Sequence, residues 1–291
     1  EEVIMVYRRD FRRSGVQQRQ QPLGFLSRWS ITWILIFINV VLFFIFLIFT
    51  AIVPTLLDWV AIKPSSILSG NKLWPIITSI FMHAGFFHLF VNMFSLFFLG
   101  GLVERIIGRK RFFWFYLVAG IFGSLFFVFG AFAGQFVPRG DFLFGSVDDY
   151  AVGASGAIFG LLGLLAVLLP KKEIYLIVGP LIVIILQFFI GYFAPAISGV
   201  VDVAASILIF LMIFSIFSFN SFFRKLALPL RLPFWLAPIV AIVPLLAIGL
   251  FVKLPIGNTA HLGGLIAGLI YGGYLRSKYR QKVKLLNRMV R

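Results

Sequence analysis

The chain contains no cysteine. That excludes a disulfide frame and any thiolate metal site, and it leaves the redox character of the compartment unread. Charge is scarce as well: 12% of the 291 residues are charged, where a soluble domain carries about 25%. Acidic residues are the rarest of these, 10 Asp and Glu against 26 Lys and Arg, and there are only three histidines. What is present instead is apolar: 61% of residues are hydrophobic, against about 45–50% in soluble domains. They lie in long runs, not amphipathic stripes. The run from Ile31 to Val53 holds no charge at all, and a membrane span needs about 20 such residues. The composition therefore predicts an all-α, polytopic transmembrane bundle. The first run exceeds a signal-peptide core of about 7–15 residues and is followed by more spans, so it reads as a span and not as a cleaved leader.

Eight apolar segments are expected, at 31–53, 76–101, 112–136, 153–169, 174–194, 200–219, 234–252 and 258–275. With the N-terminus inside and strict alternation, 22 of the 26 basic residues fall on the inner links, as the positive-inside rule requires. Removing any one segment would reverse every later link. Both termini are therefore expected inside. Residues 1–29 read as a basic cytoplasmic arm able to lie on anionic lipid, 30–276 as the transmembrane domain, and 277–291 as a basic cytoplasmic tail. The formal charge of +16 could suggest nucleic acid, but the basic residues flank apolar spans, so no nucleic-acid partner is expected and the partner surface is the bilayer.

Ionisable residues inside spans point to function. All three histidines, His83, His88 and His261, fall in or beside a span near its outer end. His88 and Asn92 are four apart and share a helix face. Ser155 opens the fourth span within Gly153-Ala-Ser-Gly156, where free N–H groups at a helix start can stabilise an anion. Gly156, Gly160 and Gly163 form a small-residue stripe. Gly264 and Gly268 lie three and seven residues after His261, so its helix is also bare on that face. Each feature alone has a plain alternative: Asn and His as interhelical polar glue, Gly-x-Ser-Gly as a packing motif with a cap. Together they agree in depth, because the second, fourth and eighth segments all run inward. Two facing glycine surfaces would let a serine and an imidazole meet within about 2.6–3.2 Å.

The segments His83-x4-His88-x3-Asn92, Gly-Gly-Leu-Val-Glu104-Arg105, Gly153-Ala-Ser155-Gly156 and Ala-His261-x2-Gly264-x3-Gly268 resemble rhomboid proteases in content and order. The match covers roughly residues 70–170 and 255–275. The resemblance implies a Ser–His dyad without a third acid, with Ser155 as nucleophile and His261 as base. It implies an oxyanion hole from the Ser155 N–H with the His88 and Asn92 side chains. It also implies that Phe159 stacks on His261, that His83 supports the outer end of the second span, and that Glu104 is a structural acid tied to the first outer loop. Two departures stand out. Trp74-Pro75 replaces the family's Trp-Arg in that loop. About 105 residues separate Ser155 from His261, enough for three spans where a six-span core has one, so 170–255 is read as holding an inserted pair of helices. An even insertion keeps the direction of the last span.

The implied activity is cleavage of other membrane proteins, single-pass substrates, near the outer face, with no metal or cofactor, by an integral protein of the cell membrane. The stretch 137–152 is a candidate lid over the site. Asp202 and Gln187, inside the insertion, read as bundle glue. Rival readings are a catalytically silent membrane chaperone of the same fold, a zinc-dependent membrane hydrolase using the histidines, and a transporter. The second lacks a His-Glu-x2-His motif, and the third would predict polar sites at the midplane.

Overall fold

The computed structural model describes residues 30–216, 220, 225–251 and 257–289. The basic arm over 1–29 and the link containing Lys253 lie outside the described residues. The unit from Ile31 onward is a helix bundle with one small β-ribbon. Its first long helix is α1 (Ile31–Ile52). An outer loop follows with short helices α2 (Leu57–Val60), α3 (Pro64–Leu68) and α4 (Pro75–Thr78). The second long element is α5 (Phe86–Ser95), a π-helical turn at Leu96–Gly100, and α6 (Gly101–Ile107). Then come α7 (Arg109–Gly134), the short α8 (Gly140–Phe144) and α9 (Ser155–Leu168). The remainder is β1 (Glu173–Ile177), α10 (Gly179–Phe193), α11 (Ser198–Ser215), β2 (Pro229–Pro233), α12 (Ala237–Gly249), α13 (Asn258–Lys278) and α14 (Arg280–Met289).

Four of these stretches are long and apolar enough to cross a membrane by length and composition: Ile31–Thr50, Phe86–Ile107, Arg109–Gly134 and Pro195–Ser215. Their outward faces carry large apolar side chains such as Phe37, Ile48, Phe129 and Val203, which in water would be a liability and in lipid is the expected solvent-facing surface. The centre is α9. Leu161, Leu164 and Leu165 are fully buried, with α7, α12 and α13 packed around the helix.

The helix expected over 76–101 is the clearest difference from the sequence reading. The long helix begins only at Phe86, because Gly85 is fully extended and Met82 is also in the β region. Pro75 instead opens its own short turn. His83 therefore lies in an extended connector and not in a span. The segment expected at 174–194 also begins differently. Glu173–Ile177 pairs antiparallel with Pro229–Pro233, in register Glu173 to Pro233, and Arg231 forms an ion pair with Glu173. β-branched and aromatic residues at Ile174, Tyr175 and Ile177 suit a strand, and the prolines fall at the two ends of β2, where they are tolerated. The ribbon ties together the base of the α10–α11 hairpin. Those two helices pack chiefly on each other, and Gln187 Nε2 donates to Asp202 Oδ1 at 2.7 Å. α12 instead packs on α9 and α13. Of the three helices between Ser155 and His261, α12 is thus the one packed on both the Ser and the His helices.

The expected tie between Glu104 and the first outer loop is not found. Glu104 sits at the opposite end of its element from His88, and there its buried carboxylate accepts hydrogen bonds from the Ile31 N–H (2.8 Å), the Thr32 N–H (2.9 Å) and the Thr32 hydroxyl (2.7 Å). Arg109 adds a looser ion pair at 3.8 Å. The first N–H groups of a helix have no intrahelical acceptor, and a carboxylate there also meets the positive end of the helix dipole. The acid thus locks α1 onto the α6–α7 corner. The expected tail is a helix too: α14 turns back at Tyr279, packs Val283 and Leu286 on the core, and Asn287 Nδ2 donates to the Leu168 carbonyl at 2.7 Å.

Glu104→Ala strands two N–H groups in a dry site and is expected to cost about 1–3 kcal/mol. Glu104→Gln, which keeps an acceptor oxygen, is expected to cost less. Unfolding midpoints in mixed micelles check this order, and equal midpoints for the two variants and the parent contradict it.

Candidate active site

Ser155 is the first residue of α9, with Ala154 at the cap position. The chain reaches it through Gly153, whose φ of 132° favours glycine and whose absent Cβ would stand 2.8 Å from the His88 ring. The Gly153 N–H donates to the Ser79 carbonyl at 2.9 Å. That bond fastens the approach to α9 onto the connector before α5. The first-turn N–H groups of α9 point toward the side from which the chain enters, and by position they lack intrahelical acceptors.

His261 lies in the first turn of α13 and is buried. Its Nε2 is 3.0 Å from the Ser155 hydroxyl oxygen, inside the range for proton transfer. Phe159, one turn below Ser155, stacks on the imidazole with centroids 4.3 Å apart and planes 16° from parallel. Among the described residues His261 Nδ1 is buried and has no hydrogen-bond partner, so no acid orients the ring from behind. Stacking on Phe159 and burial do that instead.

The second element supplies His88 and Asn92. Asn92 Nδ2 donates to the His88 carbonyl at 2.9 Å, which uses one of its two amide hydrogens and leaves the other. His83 is buried and packs edge-on against His88, centroids 5.1 Å apart. Ser155, His261, His88 and Asn92 line one cavity of about 790 Å³. The structure therefore brings the four residues singled out for chemistry into a single space, with His83 behind them. Glu104 is remote from it.

Close helix contact makes this possible. A Cβ on Gly264 would stand 1.8 Å from the Gly156 carbonyl oxygen, and one on Gly268 would stand 2.1 Å from that of Gly160. In both cases the obstacle is backbone, which cannot rotate aside. The sequence reading missed the third partner, α7. Gly123 approaches the Ala260 carbonyl and Gly156, a Cβ there standing 2.9 Å from the former, and Gly130 sits against Thr259. Gly120, Gly123 and Ser124 also line the cavity. Their spacing of three to four small residues was the available signal.

The stretch expected as a lid forms one wall, with Gly145, Asp149 and Tyr150 facing the cavity. It is fastened to the first outer loop: Ile62 pairs with Ala151, Ser65 N–H donates to the Val147 carbonyl at 2.8 Å, and Lys63 lies 3.4 Å from Asp148. Tyr150 donates its hydroxyl to Asp58, and that carboxylate holds the phenol above its ordinary pKa. Opening this wall means breaking these ties. The loop itself is braced by Trp74, which stacks on Trp59 and donates Nε1 to the Trp59 carbonyl at 2.7 Å.

A family model described as the Rhomboid domain matches residues 70–212. The chain is 35% identical over 132 residues to "Rhomboid protease GluP" of Bacillus subtilis (strain 168), covering 45% of this chain and 23% of that protein. It is 36% identical over 116 residues to "RHOMBOID-like protein 1" of Arabidopsis thaliana, covering 40% and 26%. "Inactive RHOMBOID-like protein 8" of the same plant is 32% identical over 116 residues, covering 40% and 27%. The chain thus spans about a quarter of the length of these relatives.

Two alanines on one helix test the packing. Gly264→Ala must push α13 off α9 and is expected to cost about 1–3 kcal/mol or more. Gly273 has nothing within 4 Å of a Cβ, so Gly273→Ala is expected to be neutral or to stabilise by up to about 1 kcal/mol. Unfolding in mixed micelles separates them; equal effects would contradict direct backbone contact.

Proposed function

Because the chain belongs to the rhomboid family, we propose that it is an intramembrane serine endopeptidase that cleaves other membrane proteins near the outer face. The observation that carries this reading is the 3.0 Å contact between the Ser155 hydroxyl and His261 Nε2. Two residues 106 apart in sequence meet at a helix N-terminus, in a cavity that His88 and Asn92 also line. The protein is integral to a membrane. In the proposed topology it spans eight times with both termini inside, in the cell membrane, and its substrates are single-pass proteins.

In the proposed reaction a segment of substrate helix unwinds near the outer face, since a helical carbonyl is otherwise tied up in its own hydrogen bonds. Ser155 Oγ attacks the scissile carbonyl carbon as its proton passes to His261 Nε2. The oxyanion is held by the Ser155 N–H, His88 and Asn92, aided by the positive end of α9. His261 then gives the proton to the leaving amine, and an acyl ester on Ser155 remains. Water entering through the cavity attacks that ester while His261 takes its proton, and Ser155 is restored. No metal or cofactor takes part in this sequence.

A silent, chaperone-like role is the second reading, favoured by one fact: a relative of similar identity is named inactive. Labelling with a fluorophosphonate probe and cleavage of a model single-pass substrate separate the two. Wild type is expected to label and cleave, and Ser155→Ala and His261→Ala to do neither. His88→Ala and Asn92→Ala are expected to lower kcat by about 10²–10³ each. A folded wild type that neither labels nor cleaves supports the silent role.

A further inference from the structure

Four basic residues recur at intervals of four along the last two helices: Arg276, Arg280, Lys284 and Arg288. Arg280, Lys284 and Arg288 share one face of α14, and Arg276 reaches the same cavity from α13, before the break at Tyr279. With Lys171, just beyond the end of α9, they rim a cavity of about 610 Å³. Its floor is apolar, formed by Val167, Pro170 and Val283, and no acidic residue lines it. None of the five cations makes an ion pair among the described residues. This cavity lies at the opposite end of α9 from Ser155. Fourteen residues separate the two ends inclusively, so they stand about 20 Å apart.

Cations near a helix C-terminus are ordinarily explained by the helix dipole. That end of α9 carries roughly half a negative charge, and the Asn287 amide already serves one of its carbonyls, that of Leu168. Five cations around one cavity exceed what half a charge calls for. A cationic rim above an apolar floor suits an amphiphile: an anionic head on the rim, the start of an acyl chain on the floor. Free phosphate would use the rim and leave the floor without a role.

We propose that this groove binds the phosphate-bearing headgroup of an anionic phospholipid, in the leaflet opposite the Ser–His pair. The proposal does not rest on the proteolytic reading. Lys171 and the α13–α14 ladder approach the headgroup from two separate elements, so a bound lipid would clamp α14 against the end of α9.

Native mass spectrometry of the full chain, released from micelles containing phosphatidylglycerol or phosphatidylcholine, tests it. Wild type is expected to retain phosphatidylglycerol preferentially. Arg280→Gln with Lys284→Gln is expected to reduce that retention about tenfold or more. Lys278→Gln with Lys282→Gln removes the same charge from outside the groove and is expected to stay within about twofold of wild type. Lys171→Gln, which leaves α13 and α14 untouched, is expected to weaken retention too, and Arg280→Lys with Lys284→Arg to keep it. Equal loss in the two double variants, or no preference between the lipids, overturns the proposal. Displacement of the lipid by equimolar inorganic phosphate overturns the lipid assignment in favour of free phosphate.

Discussion

Everything chemical in this molecule depends on backbone touching backbone between α9 and α13. In a bilayer two helices gain nothing from burying apolar surface, since lipid tails are equally apolar; they associate by dispersion contact and by close approach of small residues. Here the approach is as near as a helix pair allows, with Gly264 against the Gly156 carbonyl and Gly268 against that of Gly160. Any side chain at these points would widen the gap by more than an ångström. A hydrogen bond does not tolerate that: at 3.0 Å the Ser155–His261 pair can exchange a proton, and at 4 Å it cannot. Glycine in these helices therefore sets the distance between the Ser155 hydroxyl and the His261 imidazole.

The same logic of dry surroundings explains the fastenings elsewhere. A buried N–H without an acceptor costs far more in lipid than in water, so helix starts inside the bundle need partners. Glu104 serves α1 at one end of the molecule. At the other end the Ser79 carbonyl receives the Gly153 N–H, and the Ile62–Ala151 bridge closes the loops over the cavity. The first helical turn of α9 is the exception: Ser155 and Gly156 line the cavity, and by position their N–H groups lack intrahelical acceptors.

Much of this was legible in the sequence, and the parts that were not share a cause. Hydropathy marked the apolar helices, four of them long enough to cross a membrane, and small-residue spacing singled out Ser155, His261 and Asn92, which line one cavity, because each is a local pattern with a direction attached. The stack of Phe159 on His261 was expected from resemblance alone. The partner of Glu104 was misread, since nothing local says which end of which helix an acid will cap; only the chain's direction through the second element places it beside Ile31. The ribbon of Glu173–Ile177 with Pro229–Pro233 was missed because apolar runs look alike as helix or strand, and the pairing spans a hairpin of two helices. The break at Met82–Gly85 was hidden by continuous hydropathy across it. The glycines of α7 obeyed the rule already applied to α9, and only their lack of a nearby reactive residue kept them out of view.

The length of α9 joins these observations. At 14 residues it rises about 21 Å, less than a hydrocarbon core of about 30 Å. A helix that short cannot place both ends in water, so each end must be met by protein. Its N-terminal end opens into the cavity, where the free N–H groups favour negative charge. Its C-terminal end is closed by Asn287 and surrounded by cations. Shortness thus explains two features that look unrelated: a serine that lines a cavity, and a terminal helix that folds back under the end of α9. A longer α9 would carry Ser155 out to the interface, where water would compete for every hydrogen bond that the site needs.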